Sequence, residues 1–248
     1  MKNEWKESLA RKYIKEYQLK KVNKDLALRV YSTHLLGNNP ELVLHGGGNT
    51  SVKSIKKNLF GNDNDVIFVK GSGWDLATIE PEGHPKVFLN PLLKLKNLDE
   101  LSDEDMVAIH RQNLINPKSP NPSVETLLHA FLPHKFIDHT HSIALLSIAD
   151  QDNAEKICEK IYGPEVAIVP YIMPGFDLAK LAYEIHEKGI ARANANNVEL
   201  KGMVLIKHGI FSFGQTAEDS YLRMIELVNK AEKALPRKIN LDLISPRK

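Results

Sequence analysis

Phe136-Ile137-Asp138-His139-Thr140-His141 reads as a short β-strand, with β-branched and aromatic residues and no glycine or proline inside. Alternate side chains on a strand share a face, so Ile137, His139 and His141 point one way, and Asp138 and Thr140 the other. The two histidine Cα atoms then sit roughly 6.5–7 Å apart, at about 3.3 Å per residue. Imidazoles leaning together from that separation can meet at one metal ion, each nitrogen about 2.0–2.1 Å from it. A His-x-His triplet also arises by chance in a chain with ten histidines. A third ligand and a base are what the reading needs.

Just upstream, Asn121 can cap a helix with Pro122 at its first position, where the missing N–H costs nothing. The helix so predicted runs through Ser123-Val124-Glu125-Thr126-Leu127-Leu128-His129-Ala130-Phe131. Glu125 and His129, four apart, share a face of it. Glu125 lies in its first turn beside Ser123, where free backbone N–H groups can also bind an anion. A dipole-favoured surface carboxylate with its i+4 histidine partner fits the same spacing. Downstream, Met203-Val204-Leu205-Ile206 is fully apolar, as expected of a strand buried in mid-sheet. It delivers Lys207-His208-Gly209, and His208 is the natural third imidazole.

Two glycine-bearing stretches follow predicted strands nearer the start. A strand at Glu41–Leu44 runs into His45-Gly46-Gly47-Gly48-Asn49-Thr50-Ser51, and one at Asp65–Val69 into Lys70-Gly71-Ser72-Gly73-Trp74. Glycine lets backbone approach a ligand closely, and the amide and hydroxyl side chains of Asn49, Thr50, Ser51 and Ser72 suit an oxyanion. One anion pocket built from both loops and two plain turns are both consistent with this. Elsewhere the pattern predicts helices over 4–18, 25–36, 102–113, 154–162 and 177–188 and a last long helix capped by Thr216. It also predicts a strand at Val166–Val169, an irregular connection over 77–99 around a strand-like Lys86-Val87-Phe88-Leu89, and a loop or frayed helix end at 189–201.

Composition limits the function classes. With 42% hydrophobic and 26% charged residues the chain is of ordinary globular type, and a net charge of +2 is too balanced to argue for nucleic acid or a membrane surface. Cys158 is the one cysteine, which excludes an intramolecular disulfide and thiolate zinc sites. No apolar run approaches ~20 residues, and the charged start lacks the apolar region of a signal peptide, so cytosol is the expected compartment. No repeat or boundary divides the 248 residues. A single domain over 1–248 is expected, with about 236–248 a tail or linker.

Taken in order, Gly48-Asn49-Thr50-Ser51, Gly71-Ser72-Gly73, Ser123-Val124-Glu125 with His129, His139-Thr140-His141 and Lys207-His208-Gly209 resemble the class II aldolase/adducin family. The resemblance covers about residues 26–232. Val69-Lys70-Gly71-Ser72-Gly73-Trp74 and Asp138-His139-Thr140-His141 are most similar to its rhamnulose-phosphate aldolase-like branch, often fused to a short-chain dehydrogenase. The resemblance implies a single three-layer α/β/α domain with a mostly antiparallel sheet, assembled as a homotetramer. It implies a carbohydrate-metabolism lyase, an aldolase cleaving a ketose 1-phosphate to dihydroxyacetone phosphate and an aldehyde. One Zn²⁺ per chain would be held by His139, His141 and His208 and would stabilise an enediolate, with Glu125 as general base. Asn49, Thr50, Ser72, Gly73 and Ser123 would bind substrate and its phosphate. Val124 stands where the family has a second phosphate serine. Tyr162 lies in the stretch comparable to the family's proton-donor tyrosine, which a neighbouring subunit contributes. A dehydrogenase, fused or separate, is the implied protein partner. The rival readings are a sugar-phosphate 4-epimerase or a dehydratase on the same site, or a non-catalytic adducin-like interaction domain. The intact Glu125 and three histidines argue against the last.

Overall fold

A computed structural model describes residues 1–235. The tail expected at 236–248 lies outside them. In chain order, α1 (Glu7–Leu19) and α2 (Lys24–Gly37) precede β1 (Asn49–Lys57), β2 (Asp63–Val69) and β3 (Lys86–Phe88). Then come α3 (Leu89–Lys94), α4 (Asp103–Gln112), α5 (Thr126–Phe131), β4 (Phe136–Thr140), α6 (Ile143–Ala149) and α7 (Ala154–Tyr162). The order closes with β5 (Val166–Val169), α8 (Phe176–Ala195), β6 (Gly202–Leu205), β7 (Gly209–Gly214) and α9 (Ala217–Ala234).

Among the described residues the strands form one seven-stranded sheet in the order β3-β2-β1-β4-β7-β6-β5. Every neighbouring pair is antiparallel except β5 with β6. The pleat sorts the core into two layers. Ile137, Met203, Leu205, Phe211 and Phe213 pack on one face with residues of α3, α4, α5 and α8. Val204 and Ile210 pack on the other with α6, α7 and α9, and Phe136 does so with α1 and α2. The three-layer α/β/α arrangement is the one expected.

Local chemistry accounts for several ends. Ser102 Oγ accepts the Asp105 N–H at 3.1 Å and Thr216 Oγ1 the Asp219 N–H at 3.0 Å, capping α4 and α9. Behind the His-x-His strand, Asp138 points to the face opposite His139 and pairs with Arg29, and both side chains are fully buried. Ser220 Oγ donates to the second Asp138 oxygen at 2.7 Å. Arg29 also donates to the carbonyls of Ser51 (3.3 Å) and Ile137 (3.4 Å), clamping β1 to β4.

Four expectations are corrected. Glu41–Leu44 is a turn, in which the Leu42 and Val43 N–H groups both donate to Asn39 O, at 3.0 and 3.2 Å. Its apolar residues Leu42 and Val43 are buried as a plug and pair with no strand. Pro122 does not open a helix, because it bridges to Gly71 in extended form, and α5 begins only at Thr126. Glu125 is therefore the residue before the first turn. Helix α8 continues to Ala195, past the expected end near Lys188. Gly189 inside it sits where a Cβ would come within 3.2 Å of Ala167 Cβ, so its small size serves close packing on β5. Finally, the apolar stretch Ile143–Ala149, with no predicted element, is α6.

Candidate metal and carboxylate site

The site stands where β4, β1 and β7 end beside one another. Asn49 of β1 is registered against His139, and His139 against Phe211 of β7. His139 is fully buried and its ring stacks on Phe211, with centroids 4.1 Å apart. Its Nδ1–H donates to Ile210 O at 3.1 Å, which leaves the Nε2 lone pair free. His141 Nε2 lies 3.0 Å from that atom. Two nitrogens bound at 2.0–2.1 Å to one tetrahedral ion are roughly 3.3 Å apart. His208 arrives from the turn after β6, where its N–H donates to Leu205 O at 3.1 Å and Lys207 takes a left-handed φ of 59°. One nitrogen from each of His139, His141 and His208 lies within 4.8 Å of the others. Burial, then the neighbouring imidazoles, hold His139 well below the usual histidine range. Burial, His208 and Lys70 lower His141 to about 4. Both rings are thus neutral at pH 7, the form that binds a cation.

Glu125 faces this cluster. Its Oε1 is 3.2 Å from His208 Nε2 and its Oε2 3.5 Å from His139 Nε2. Oε2 also accepts from Asn49 Nδ2, whereas Oε1 is buried with no hydrogen-bond partner among the described residues. Burial raises the Glu125 pKa, while His208, the Asn49 hydrogen bond and Lys70 pull it down. Three convergent imidazoles beside a buried carboxylate oxygen without a hydrogen bond fit a divalent cation. Among the described residues that oxygen accepts no hydrogen bond, and it faces the His208 ring at 3.2 Å.

The glycine-bearing loops meet at the mouth of the site. Lys70 Nζ donates to Gly46 O at 2.8 Å, and the Gly46 N–H to Asp75 Oδ2 at 3.2 Å. Ser72 N donates to Asn121 O at 2.8 Å and Ser123 N to Lys70 O at 3.0 Å, joining the 70–73 and 121–123 stretches. Ser72 and Gly73 are exposed there, Gly73 with a left-handed φ of 84° and open space on its Cβ side. Ser123 is half-buried, its Oγ accepting from Glu125 N (3.2 Å) and Asn49 Nδ2 (3.3 Å). Val124 points to solvent.

Two expected site residues stand elsewhere. Thr50 belongs to a strand, so it turns to the face opposite Asn49 and Ser51. It is fully buried there, bonded to Thr33 Oγ1 at 2.8 Å and His84 Nε2 at 3.2 Å. Tyr162 lies in the core under α9, 3% exposed, with its hydroxyl donating to Leu227 O at 3.2 Å. A phenol so placed cannot act in a neighbouring subunit's site. By spacing alone Ser51 and Lys70 belong to the two stretches offered to an oxyanion, and His129 is a helix partner of Glu125; Ser51 is instead fully buried and faces His129. The ring of His129 instead reaches Asn49 and Ser51. The one signal for this was the helical four-residue offset from Glu125.

The sequence pattern described as the class II aldolase and adducin N-terminal domain matches residues 29–235. The chain belongs to this family. A solved member, the N-terminal class II aldolase domain of a conserved Thermoplasma acidophilum protein, is 39% identical with a TM-score of 0.80. The match covers 94% of this chain and 98% of that one. YuxG of Bacillus subtilis (strain 168), named an uncharacterized oxidoreductase, is 40% identical over 211 residues, 85% of this chain. The match spans only 30% of YuxG's length. A sugar-phosphate aldolase from Thermotoga maritima shares the family's fold at 15% identity and a TM-score of 0.58, covering 96% of this chain and 98% of that one.

Proposed function

We propose that this class II aldolase-family chain is a zinc-dependent lyase that makes and breaks the carbon–carbon bond of a ketose 1-phosphate. The observation that carries this reading is the partnerless Glu125 Oε1, turned toward the convergent nitrogens of His139, His141 and His208. His139, His141 and His208 would hold one zinc ion per chain, the three-ligand open arrangement of a catalytic site. Bound there, the metal supplies Lewis-acid polarisation of the substrate carbonyl.

The protein's own groups do the rest. In the bond-making direction Glu125 takes the proton from the carbon beside the carbonyl. The C–H bond breaks and an O–H bond forms on Glu125. The electron pair left behind forms the C–C bond to the aldehyde carbon, whose C=O π pair moves onto the aldehyde oxygen, and that oxygen takes a proton from water. In cleavage the same carboxyl returns the proton. Ser72, Gly73 and Ser123, joined through the 70–73 and 121–123 backbone bonds, bind the phosphate, and the Lys70 ammonium adds positive charge. A dehydrogenase partner accords with this reading, since the oxidoreductase-named relative extends well beyond the stretch it shares.

Glu125→Gln tests the reading. The amide keeps the shape and one acceptor for Asn49 but takes no proton. Metal content and folding should match the wild type, while cleavage and exchange of the substrate's carbon-bound proton with deuterium both fall at least ~10²-fold. Exchange at the wild-type rate in the Gln variant would remove Glu125 as the base. Exchange without cleavage in the wild type would move the reading to a dehydratase.

A further inference from the structure

On the side of Glu125 away from the mouth, three side chains from two elements form a continuous hydrogen-bonded line. Asn49 Nδ2 meets Glu125 Oε2, Asn49 Oδ1 meets His129 Nε2, and His129 Nδ1 lies 2.8 Å from Ser51 Oγ. The β1 pleat puts Asn49 and Ser51 on one face, and His129 of α5 lies over both.

The direction of every bond follows from the carboxylate. An ionised carboxylate only accepts, so the Asn49 group that meets it is the NH₂. The other Asn49 N–H faces Ser123 Oγ at 3.3 Å, so neither amide hydrogen is left for substrate. The Asn49 carbonyl therefore faces His129, whose Nε2 must carry the ring proton. Nδ1 is then a lone pair and accepts the Ser51 hydroxyl. His129 is fully buried, with the Phe211 ring centroid 5.4 Å away between it and the metal-side rings. Burial, with Lys53 and Arg29 adding to it, keeps the ring uncharged. At the other end of the line, Oε2 faces a donor that cannot turn into an acceptor without breaking the chain, while Oε1 accepts no hydrogen bond among the described residues and faces the His208 ring at 3.2 Å.

We propose that Ser51, His129 and Asn49 are positioning residues that pin Glu125 by Oε2, so that Oε1 is the oxygen that exchanges a proton with the substrate. This rests on the reading of Glu125 as the base and assigns it to one atom.

The test pairs a spectroscopic with a kinetic measurement. In protein labelled with ¹⁵N-histidine, a long-range ¹H–¹⁵N correlation should show His129 protonated on Nε2 and bare on Nδ1. Its signals are assigned by their loss in His129→Gln. An Nδ1–H form overturns the chain of bonds. Ser51→Ala should shift the His129 Nδ1 resonance, because its lone pair loses a donor, and an unmoved resonance likewise overturns it. In kinetics, His129→Leu should lower kcat about 10²-fold through misplacement of Glu125, with KM and bound metal unchanged. His129→Gln, whose amide N–H can replace Nε2–H toward Asn49, should stay within about tenfold of wild type. Equal losses in the Leu and Gln variants overturn the positioning role. A wild type that exchanges no substrate proton overturns the lyase reading and the Oε1 assignment with it. A wild type that exchanges, with His129 in the wrong tautomer, overturns the positioning line alone.

Discussion

Acid should unfold this protein through histidines that have no part in the site, and His110 is the one to replace. His110 sits on α4, 1% exposed, and neither ring nitrogen has a hydrogen-bond partner among the described residues. Burial lowers it to about 4, and burial together with the Arg29 charge lowers the equally buried His84 to about 3. Both folded-state values lie below the ~6.5 of a histidine in the unfolded chain. Stability from keeping these rings neutral is thus fully present above pH ~6.5 and is lost as pH falls from there toward 4 and 3. Near pH 5 each ring is protonated when unfolded and neutral when folded, so each contributes a slope of about 1.4 kcal/mol per pH unit. The two together give about 2.7 kcal/mol per unit, against a total stability on the order of 5–15 kcal/mol. His110→Leu removes one of these protons and also the two orphan nitrogens, which cost about 1–3 kcal/mol even at neutral pH. The Leu variant should match or exceed wild type at pH 7 and gain a further ~2 kcal/mol by pH 5. At roughly 2–4 °C per kcal/mol for a domain of this size, that is about 4–8 °C in Tm. Urea midpoints at pH 7, 6 and 5, with metal saturating in both proteins, measure it. Parallel stability curves for variant and wild type would refute the argument, since His110 would then titrate alike folded and unfolded.

Two further perturbations test the frame behind the site. A methyl on Gly209 would come within 2.6 Å of Thr140 O, 2.8 Å of His139 Cε1 and 3.0 Å of His141 Cδ2. Gly209→Ala should therefore lose metal by elemental analysis almost as His141→Ala does, and full loading would show that β4 and β7 can part without disturbing the ligands. Asp138→Leu strands the buried Arg29 guanidinium and should cost about 3–5 kcal/mol in urea unfolding, most of it recovered when Arg29→Met is added. A double variant no more stable than the single would mean that the pair is not what holds Asp138 in place.

What the sequence determined by itself is what local geometry dictates. The two-residue period of 136–141 sets His139 and His141 on one face and Asp138 on the other, because alternation needs only the pleat. Ser102 and Thr216 mark helix starts because a cap is made within three residues. The apolar run after Gly202 reads as a central strand because both its faces are covered, and the order of short motifs pointed to the family. Tertiary structure decided everything that hangs on partners far along the chain. Whether Leu42 and Val43 pair or plug, and which way Thr50 faces, depend on where β1 enters the sheet. Pro122 could start a helix by local rules, yet its bridge to Gly71 holds it extended. Tyr162 and His129 show the same limit from opposite sides. A tyrosine at a plausible position is claimed by Leu227 O in the core, and a histidine with an obvious helical neighbour is claimed by two residues of β1. Hydrogen-bond donors take the acceptors that folding brings near, and sequence spacing carries that information only across a turn or two of helix or a few residues of strand.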